Sequence, residues 1–293
     1  MSQYKILNYQ KLVKLDHALS EKSADLTLYG LVDHAGLPGL LGRLDEADIA
    51  RTSIFVGRGE QEAWQVAPIL FPINLKEVSS EQQQVLTWMC GQGQFSSCLM
   101  LLASPLALDP LALRLGRRLD GMLPDDMAVM LRFFDPRVFE ALIKVLLPAQ
   151  LTTFLGVAQH WWFVDRRGRL HMVEADFAEQ DPFVAPLQLD NAQQAAMIDA
   201  SEPDQVMQML SEGVPGGFAN LRPTDRYDFV LEYMEAAHEN NIVATHELAL
   251  FCALAMLYGE DFALKPQWRT VLLQVKDGKL SLQQAIDVVE SHY

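Results

Sequence analysis

Three residues whose side chains could form a hydrolase site stand where predicted strands end. They are Ser104, His34 and Asp135, and ligands of open α/β sheets bind at the carboxyl ends of strands. A serine, a histidine and an acid in contact would support nucleophilic catalysis. Each also has a structural interpretation, because Asp135 can cap a helix and Ser104 lacks the Gly-x-Ser-x-Gly turn of hydrolases. The hydrolase is therefore the alternative hypothesis, and the sequence favours a protein without catalytic residues.

Motifs for cofactors and metals are absent from the sequence. Neither Gly-x-Gly-x-x-Gly nor Gly-x-x-x-x-Gly-Lys-Ser/Thr occurs, and the seven histidines form no His-Glu-x-x-His. The three cysteines, Cys90, Cys98 and Cys252, include no Cys-x-x-Cys pair. We therefore expect no cofactor and no metal, and reduced thiols in a cytoplasmic protein.

The elements that position these residues change in character along the chain. Strand-like and helix-like segments alternate up to about Pro186, with strands predicted at 26–32, 52–56, 64–71, 98–103 and 127–134 and a hairpin at 161–173. From Asp190 onward the sequence shows only capped helices. This pattern predicts an α/β N-terminal lobe with a mixed sheet over residues 1–190, followed by a smaller all-α C-terminal lobe over 191–293.

Local signals fix several helices and strands more closely. Asp109-Pro110 and Asp135-Pro136 each predict a helix N-cap followed by proline at the first helical position. The alternation of a strand places Trp161 and Trp162 on opposite sides, so one is expected in the core and the other at the surface. The apolar run from Leu248 to Leu257 is shorter than the ~20 residues that span a bilayer, which predicts a buried helix.

The charge balance restricts the class of partner. The 293 residues include 23 basic and 38 acidic side chains, giving a net charge of −15. Such a chain repels nucleic-acid phosphates and anionic lipids, so neither nucleic-acid binding nor membrane insertion is expected. The N-terminus carries lysines and lacks the apolar segment of a secretory signal, which again predicts a cytoplasmic location.

Two charged surfaces are candidates for binding a protein partner. The first is a basic face on one predicted helix, formed by Arg114, Arg117 and Arg118. The second is an acidic stripe on a helix of the C-terminal lobe, formed by Asp228, Glu232, Glu235 and Glu239. Like charges at i, i+4 mildly destabilise a helix, so a stripe without lysines indicates either a solvated face or a partner site.

The segment from Arg132 to Val138, Arg-Phe-Phe-Asp-Pro-Arg-Val, resembles the hallmark of a known family. The residues that match the hallmark are Arg132, Phe134, Asp135, Pro136 and Arg137. The family is that of the type VI secretion adaptor-chaperones, called Tap or Tec proteins. Further similarities surround the hallmark, in the order of the family: Tyr29–Ala35, Leu101–Pro105, Leu113–Leu119, and Gly156 with Trp161-Trp162. The resemblance covers about residues 26–165.

The sequence also departs from the family pattern. His34 stands where a glycine or another small residue is common, and Cys98-Leu99-Met100 replaces the frequent Trp-Gly. The helical lobe contains no fixed motif. The resemblance therefore concerns the first lobe.

The resemblance implies a non-enzymatic protein that binds an effector toxin and delivers it to the VgrG spike protein. It suggests that the spike contacts residues 1–190 and that the effector contacts the helical lobe, including the acidic stripe. For the hallmark itself we favour an architectural role. Asp135 can cap the helix that it opens, and Arg132 and Arg137 flank it closely enough for charge-assisted hydrogen bonds.

Overall fold

A computed structural model of the protein describes residues 7–23, 25–55 and 67–291, and for Lys22 only the backbone. The chain divides into two compact units, Met1–Ile198 and Asp199–Tyr293. The boundary falls within the helix Asn191–Gly213. None of the described helices has the length and apolar composition that crossing a membrane requires.

The strands of the described chain all lie in the first unit. In chain order they are β1 (Thr27–Val32), β2 (Thr52–Ser53), β3 (Ile69–Ile73), β4 (Leu99–Ser104), β5 (Asp120–Met122), β6 (Ala128–Met130), β7 (His160–Val164), β8 (Leu170–Glu174) and β9 (Leu187–Gln188). They form a six-stranded sheet of order β2-β3-β1-β4-β7-β8 and a three-stranded sheet of order β6-β5-β9.

The large sheet is antiparallel in every pair, and the small sheet is the mixed one. In the large sheet β1 lies between β3 and β4, with Thr27 opposite Ser104 and Val32 opposite Leu99. In the small sheet β5 pairs antiparallel with β6 and parallel with β9. The predicted fold class, an α/β lobe followed by a helical one, is confirmed. The main sheet nevertheless differs from the parallel type in which ligands bind at aligned carboxyl ends.

Six complete helices of the described residues accompany these strands in the first unit. They are α1 (Tyr9–Lys22), α2 (Leu40–Glu46), α3 (Ser80–Gly93), α4 (Leu108–Arg117), α5 (Pro136–Val145) and α6 (Pro148–Leu155), with a short 3-10 helix at His34–Gly36. The large sheet is apolar on both faces, so alternate residues of each strand enter two separate cores. Trp161 and Trp162 therefore both lie buried, in different cores, and the expectation that one is exposed was wrong.

The two Asp-Pro signals had different outcomes. Asp135 is the N-cap of α5 and Pro136 its first residue, as predicted. By contrast, α4 begins at Leu108, before Asp109, and Ala107 is its N-cap. The hydroxyl of Tyr29 donates to the Leu106 carbonyl at 2.7 Å, and this long-range bond fixes the chain just ahead of the helix.

The predicted strand at 127–134 is reduced to the three residues of β6. Pairing with β5 ends where the Leu131 N–H donates to the Leu119 carbonyl at 2.8 Å. The chain then turns, and the Asp135 N–H donates to the Arg132 carbonyl at 2.9 Å. Phe133 and Phe134 are buried in the core because of this turn, and not through a continuing strand.

The second unit is helical. The helices after β9 are α7 (Asn191–Gly213), α8 (Pro215–Asn220), α9 (Arg226–Glu239), α10 (Thr245–Tyr258), α11 (Pro266–Lys276) and α12 (Leu282–Glu290), with a 3-10 helix at Phe262–Leu264. Helix α10 lies at the centre of their core: most of Leu248–Leu257 is buried, and Phe251 is inaccessible. Leu257 is the exception, with 64% of its surface exposed.

Candidate functional site

The end of β1 and the hallmark segment meet in the first unit. Asp33 follows β1, and its carboxylate accepts hydrogen bonds from the Ala35 N–H at 3.2 Å and from Nη2 of Arg132 at 2.9 Å. The Asp33 N–H donates to the carbonyl of Cys98 at 2.8 Å. Because Asp33 and Arg132 are 99 positions apart, this ion pair joins the opening turn to the hallmark.

The second ion pair of the hallmark is local. Asp135 accepts the Arg137 N–H at 2.9 Å, which caps α5, and its Oδ2 lies 2.7 Å from Nη2 of the same arginine. The expected network of Asp135 with both arginines is thus replaced by two separate pairs. Arg132 binds Asp33, the partner that sequence reasoning missed, although the resemblance already included this aspartate in its opening turn.

Both pairs expose cations over buried carboxylates. The side chains of Asp33 and Asp135 are 11% and 7% exposed, whereas those of Arg132 and Arg137 are 57% and 40% exposed. The buried acids hold the guanidinium groups in fixed directions, and Arg132 also lies 5.5 Å from the ring centre of Phe134. Such oriented guanidinium groups can donate hydrogen bonds to a carboxylate of a partner surface.

We expect Asp135→Ala to lower the free energy of unfolding by about 1–2 kcal/mol, because the substitution removes a helix cap and a charge-assisted bond. Asp135→Asn keeps a capping oxygen but loses the charge, so it should cost less. Equilibrium urea unfolding measures both variants, and partner binding is then measured on the folded fraction. An unchanged stability together with lost binding would contradict the architectural role.

The hydrolase residues are not brought together. Ser104 lies opposite the first residue of β1, whereas His34 follows the last, so the length of the strand, about 17 Å, separates them. Ser104 is inaccessible, and its hydroxyl donates to the Val157 carbonyl at 2.7 Å. Among the described residues, Nδ1 of His34 has no hydrogen-bond partner, and Asp135 pairs with Arg137 instead. We therefore do not propose this activity.

The predicted basic face serves the interior of the first unit. Arg118 is inaccessible and binds both carboxylate oxygens of Asp181, at 2.8 and 3.0 Å, as well as the Phe154 carbonyl. Arg114 donates to the carbonyls of Ala178 and Glu179. A partner cannot reach Arg118, so this residue is withdrawn as a binding candidate.

Arg117 takes part in the same arrangement at its rim. It donates to the Phe183 carbonyl at 2.8 Å and lies 3.6 Å from Asp181, while 46% of its side chain stays exposed. The three arginines together fasten the segment 178–183, which follows β8, onto α4. No local sequence signal connects α4 to this segment, since Arg118 and Asp181 are 63 positions apart.

The acidic stripe lies on the surface of the second unit. All four of its residues are exposed on α9, at the spacing that the sequence predicted. Within the part of the chain that the structure describes, Glu232, Glu235 and Glu239 form no ion pair. The opposite side of the helix is buried through Phe229, Tyr233 and other apolar residues. The stripe is therefore a negatively charged surface that is open to a basic partner.

The three thiols are free and buried. Burial raises the pKa of Cys90 and of Cys252 to about 12. Burial also raises the pKa of Cys98, with smaller contributions from the negative charges of Asp33 and Asp135. The thiolate, which is the nucleophile of cysteine chemistry, is therefore scarce at all three positions.

The raised pKa values of the three thiols should slow their alkylation. At pH 7.5 we expect iodoacetamide to label the folded protein at least about a hundredfold more slowly than the protein in urea. Mass spectrometry of the digested chain gives the rate for each cysteine. Fast labelling of Cys98 in the folded protein would show that this side chain, next to the end of β1, is open to solvent.

The match to a known family lies within the first unit. Residues 28–153 match a family model described as Domain of unknown function (DUF4123). The match runs from β1 into α6 and contains the opening turn, β4 and the hallmark, whereas Gly156, Trp161 and Trp162 lie beyond it. No curated protein and no solved structure matches the chain.

Proposed function

We propose that this protein is a non-enzymatic adaptor-chaperone that binds a type VI secretion effector and loads it onto the VgrG spike protein. The observation that carries the proposal is the match of residues 28–153 to a domain that is known in type VI secretion adaptors. The hallmark lies inside this match, and the Asp33–Arg132 pair connects it to the opening turn. The proposed place of action is the cytoplasm, where thiols remain reduced.

The spike protein is assigned to residues 1–190. A domain that recurs among adaptors suits a partner that is similar from system to system, whereas effectors differ widely. The guanidinium groups of Arg132 and Arg137 support this assignment, because they are exposed in part and held in fixed directions by buried carboxylates. Acidic side chains of the spike are the expected contacts.

The effector is assigned to the helical unit, with the acidic stripe as its contact surface. The stripe is exposed, and its four charges lie along one side of α9. Exposed charge pairs contribute only ~0.2–1 kcal/mol each, so the stripe acts mainly on the association rate and its salt dependence. A basic surface on the effector is the chemistry that fits.

Reversal of the four charges to lysine tests this assignment. We expect slower capture of the effector, with little change in spike binding and in melting temperature, because all four residues are exposed. A matched control changes the same number of exposed acids elsewhere in the second unit: Glu212, Asp277, Asp287 and Glu290. The control gives the same net charge and should capture the effector at nearly the normal rate.

The effector and the spike for this experiment come from co-purification with the full chain from its native cell, followed by mass spectrometry. Pull-downs with each partner, at low and at high salt, then measure the two variants. If the reversed stripe still captures the effector at low salt while spike binding is lost, the assignment of the two partners is backwards. Recovery of neither partner would contradict the adaptor function.

A further inference from the structure

The small sheet of the first unit leaves one backbone edge open. Strand β6 is the outer strand of the order β6-β5-β9, and no other strand of the described chain pairs with it. The Leu123 N–H donates to the Met127 carbonyl at 3.0 Å, and the Leu131 N–H donates to the Leu119 carbonyl at 2.8 Å. Since such bonds alternate along an antiparallel strand, the backbone groups of Ala128 and Met130 point away from β5. An edge of this kind is a template for another strand.

A groove lies over the outer face of the small sheet, and β6 forms one side of it. It encloses about 420 Å³, a volume within the range of ligand pockets, about 300–1,000 Å³. Its floor is the outer face of the small sheet, formed by Asp120, Met122, Ala128 and Met130. Its wall is formed by Ala185 and Pro186, which come after the segment 178–183 in the chain. All of these except Asp120 are apolar.

Methionines make this surface adaptable. Met130 is 50% exposed, and Met122, which also lines the groove, is half-buried. The other face of the strand is committed to the interior, since Val129 packs on the core and a side chain at Gly121, opposite it, would meet Leu131. Flexible thioether side chains fit varied apolar residues, and they are common at surfaces that bind peptides.

The charge of the surface determines the chemistry of its occupant. Asp125 and Asp126 are exposed in the turn between β5 and β6, and the basic residue that follows β6, Arg132, is paired with Asp33. A second copy of this chain would bring the same acidic turn and a net charge of −15 to the edge. Like charges therefore oppose self-pairing, and a basic partner is favoured.

We propose that β6 binds an extended peptide of a partner protein, which adds a fourth strand to the small sheet. The peptide alternates apolar side chains, which pack against Ala128 and Met130 at the side of the groove, with at least one lysine or arginine, which faces the acidic turn. Main-chain hydrogen bonds to Ala128 and Met130 supply affinity, and the groove and the acids supply selectivity. The proposal does not depend on the adaptor function, because it rests on the backbone edge and the charge of the small sheet.

A phage-displayed library of random twelve-residue peptides, selected on the full chain, tests the proposal. We expect enrichment of sequences in which apolar residues alternate and at least one residue is basic. The enriched peptides are synthesised, and their affinity is measured by fluorescence anisotropy. Ala128→Pro removes an outward N–H without removing a bond to β5, and Met130→Lys adds a repelling charge. Each should weaken binding at least tenfold.

Two controls separate strand addition from general adhesion. Met172→Lys alters an exposed methionine of β8, at the edge of the other sheet, and should leave the affinity unchanged. Two sets of peptides are N-methylated at alternate amides, one set at the odd and one at the even positions. One set should keep its affinity and the other should lose at least tenfold in affinity, because only every second amide faces β6. Melting temperatures verify that the variants are folded. If Ala128→Pro does not fold, the result for Met130→Lys decides the test.

Several results would overturn the proposal. The first is the absence of enriched peptides, or enrichment of acidic ones. The second is binding that neither Ala128→Pro, nor Met130→Lys, nor N-methylation changes. The third is a dimer of the wild-type chain that Met130→Lys dissociates in sedimentation analysis, because a second copy would then occupy the edge.

Discussion

Arg118→Met is expected to lower the free energy of unfolding of the first unit by about 3–5 kcal/mol. The substitution keeps an apolar stem of similar length but leaves the carboxylate of Asp181, only 7% exposed, without its counter-ion. It also removes the donors that satisfy the carbonyls of Thr153 and Phe154. Urea unfolding followed by circular dichroism measures the change.

A neighbouring arginine provides the control. Arg117→Met removes a longer and more exposed contact with Asp181, 3.6 Å at 46% exposure, and should cost no more than about 1 kcal/mol. The double variant Arg118→Met/Asp181→Leu should recover part of the loss, because it leaves no charge buried without a partner. Equal costs for Arg117→Met and Arg118→Met would contradict the role of the buried pair.

The same pair makes stability depend on pH. Burial raises the pKa of Asp181, but the hydrogen bonds and charge of Arg118 outweigh burial and hold the pKa below its ordinary value of 3.8. A carboxylate with a lowered pKa stabilises the folded state above its unfolded pKa, and this contribution is lost as the pH falls through the folded value. The stability difference between wild type and Asp181→Asn should therefore be constant near pH 7 and shrink below about pH 4.

Phe251→Ala is expected to lower the free energy of unfolding of the second unit by about 3–5 kcal/mol. Phe251 is inaccessible on α10, and its ring lies 5.0 Å from that of Phe262, which in turn contacts Trp268 at 5.3 Å. Truncation leaves a cavity at the centre of the helical core, and the surrounding aromatic rings can fill it only in part.

Hydrogen exchange measured by mass spectrometry locates this effect. The helices of the second unit should lose protection in Phe251→Ala, while the strands of the six-stranded sheet keep theirs, because the two units have separate cores. Leu257→Ala, on the same helix but 64% exposed, should change the free energy by no more than about 0.5 kcal/mol. Similar effects of the two substitutions would show that α10 is not the core helix.

The sequence alone determined the features that depend on near neighbours in the chain. Asp135-Pro136 predicted the start of α5 because a cap and a fixed φ act within one turn. The spacing of the acidic stripe predicted one side of α9 because helical periodicity is local. The apolar run of α10 predicted burial for the same reason; Leu250 and Met256 are partly buried, and Leu257 near the end of the run is exposed.

Tertiary structure decided which distant residues meet. The direction of β4 against β1 separates Ser104 from His34, and no periodicity in the sequence records whether neighbouring strands are parallel. Burial of Trp161 and Trp162 together requires helices on both faces of the sheet, which strand alternation cannot show.

Charged residues were the least predictable, because the sequence reports a charge but not its partner. Arg118 was assigned to a surface by its spacing on α4, yet Asp181, 63 positions away, draws it into the interior. Arg132 was assigned to Asp135, its neighbour, yet it binds Asp33, 99 positions away. Ion pairs form between groups that the fold brings within a few ångströms, so their partners follow from the packing of the sheets and helices and not from proximity in the sequence.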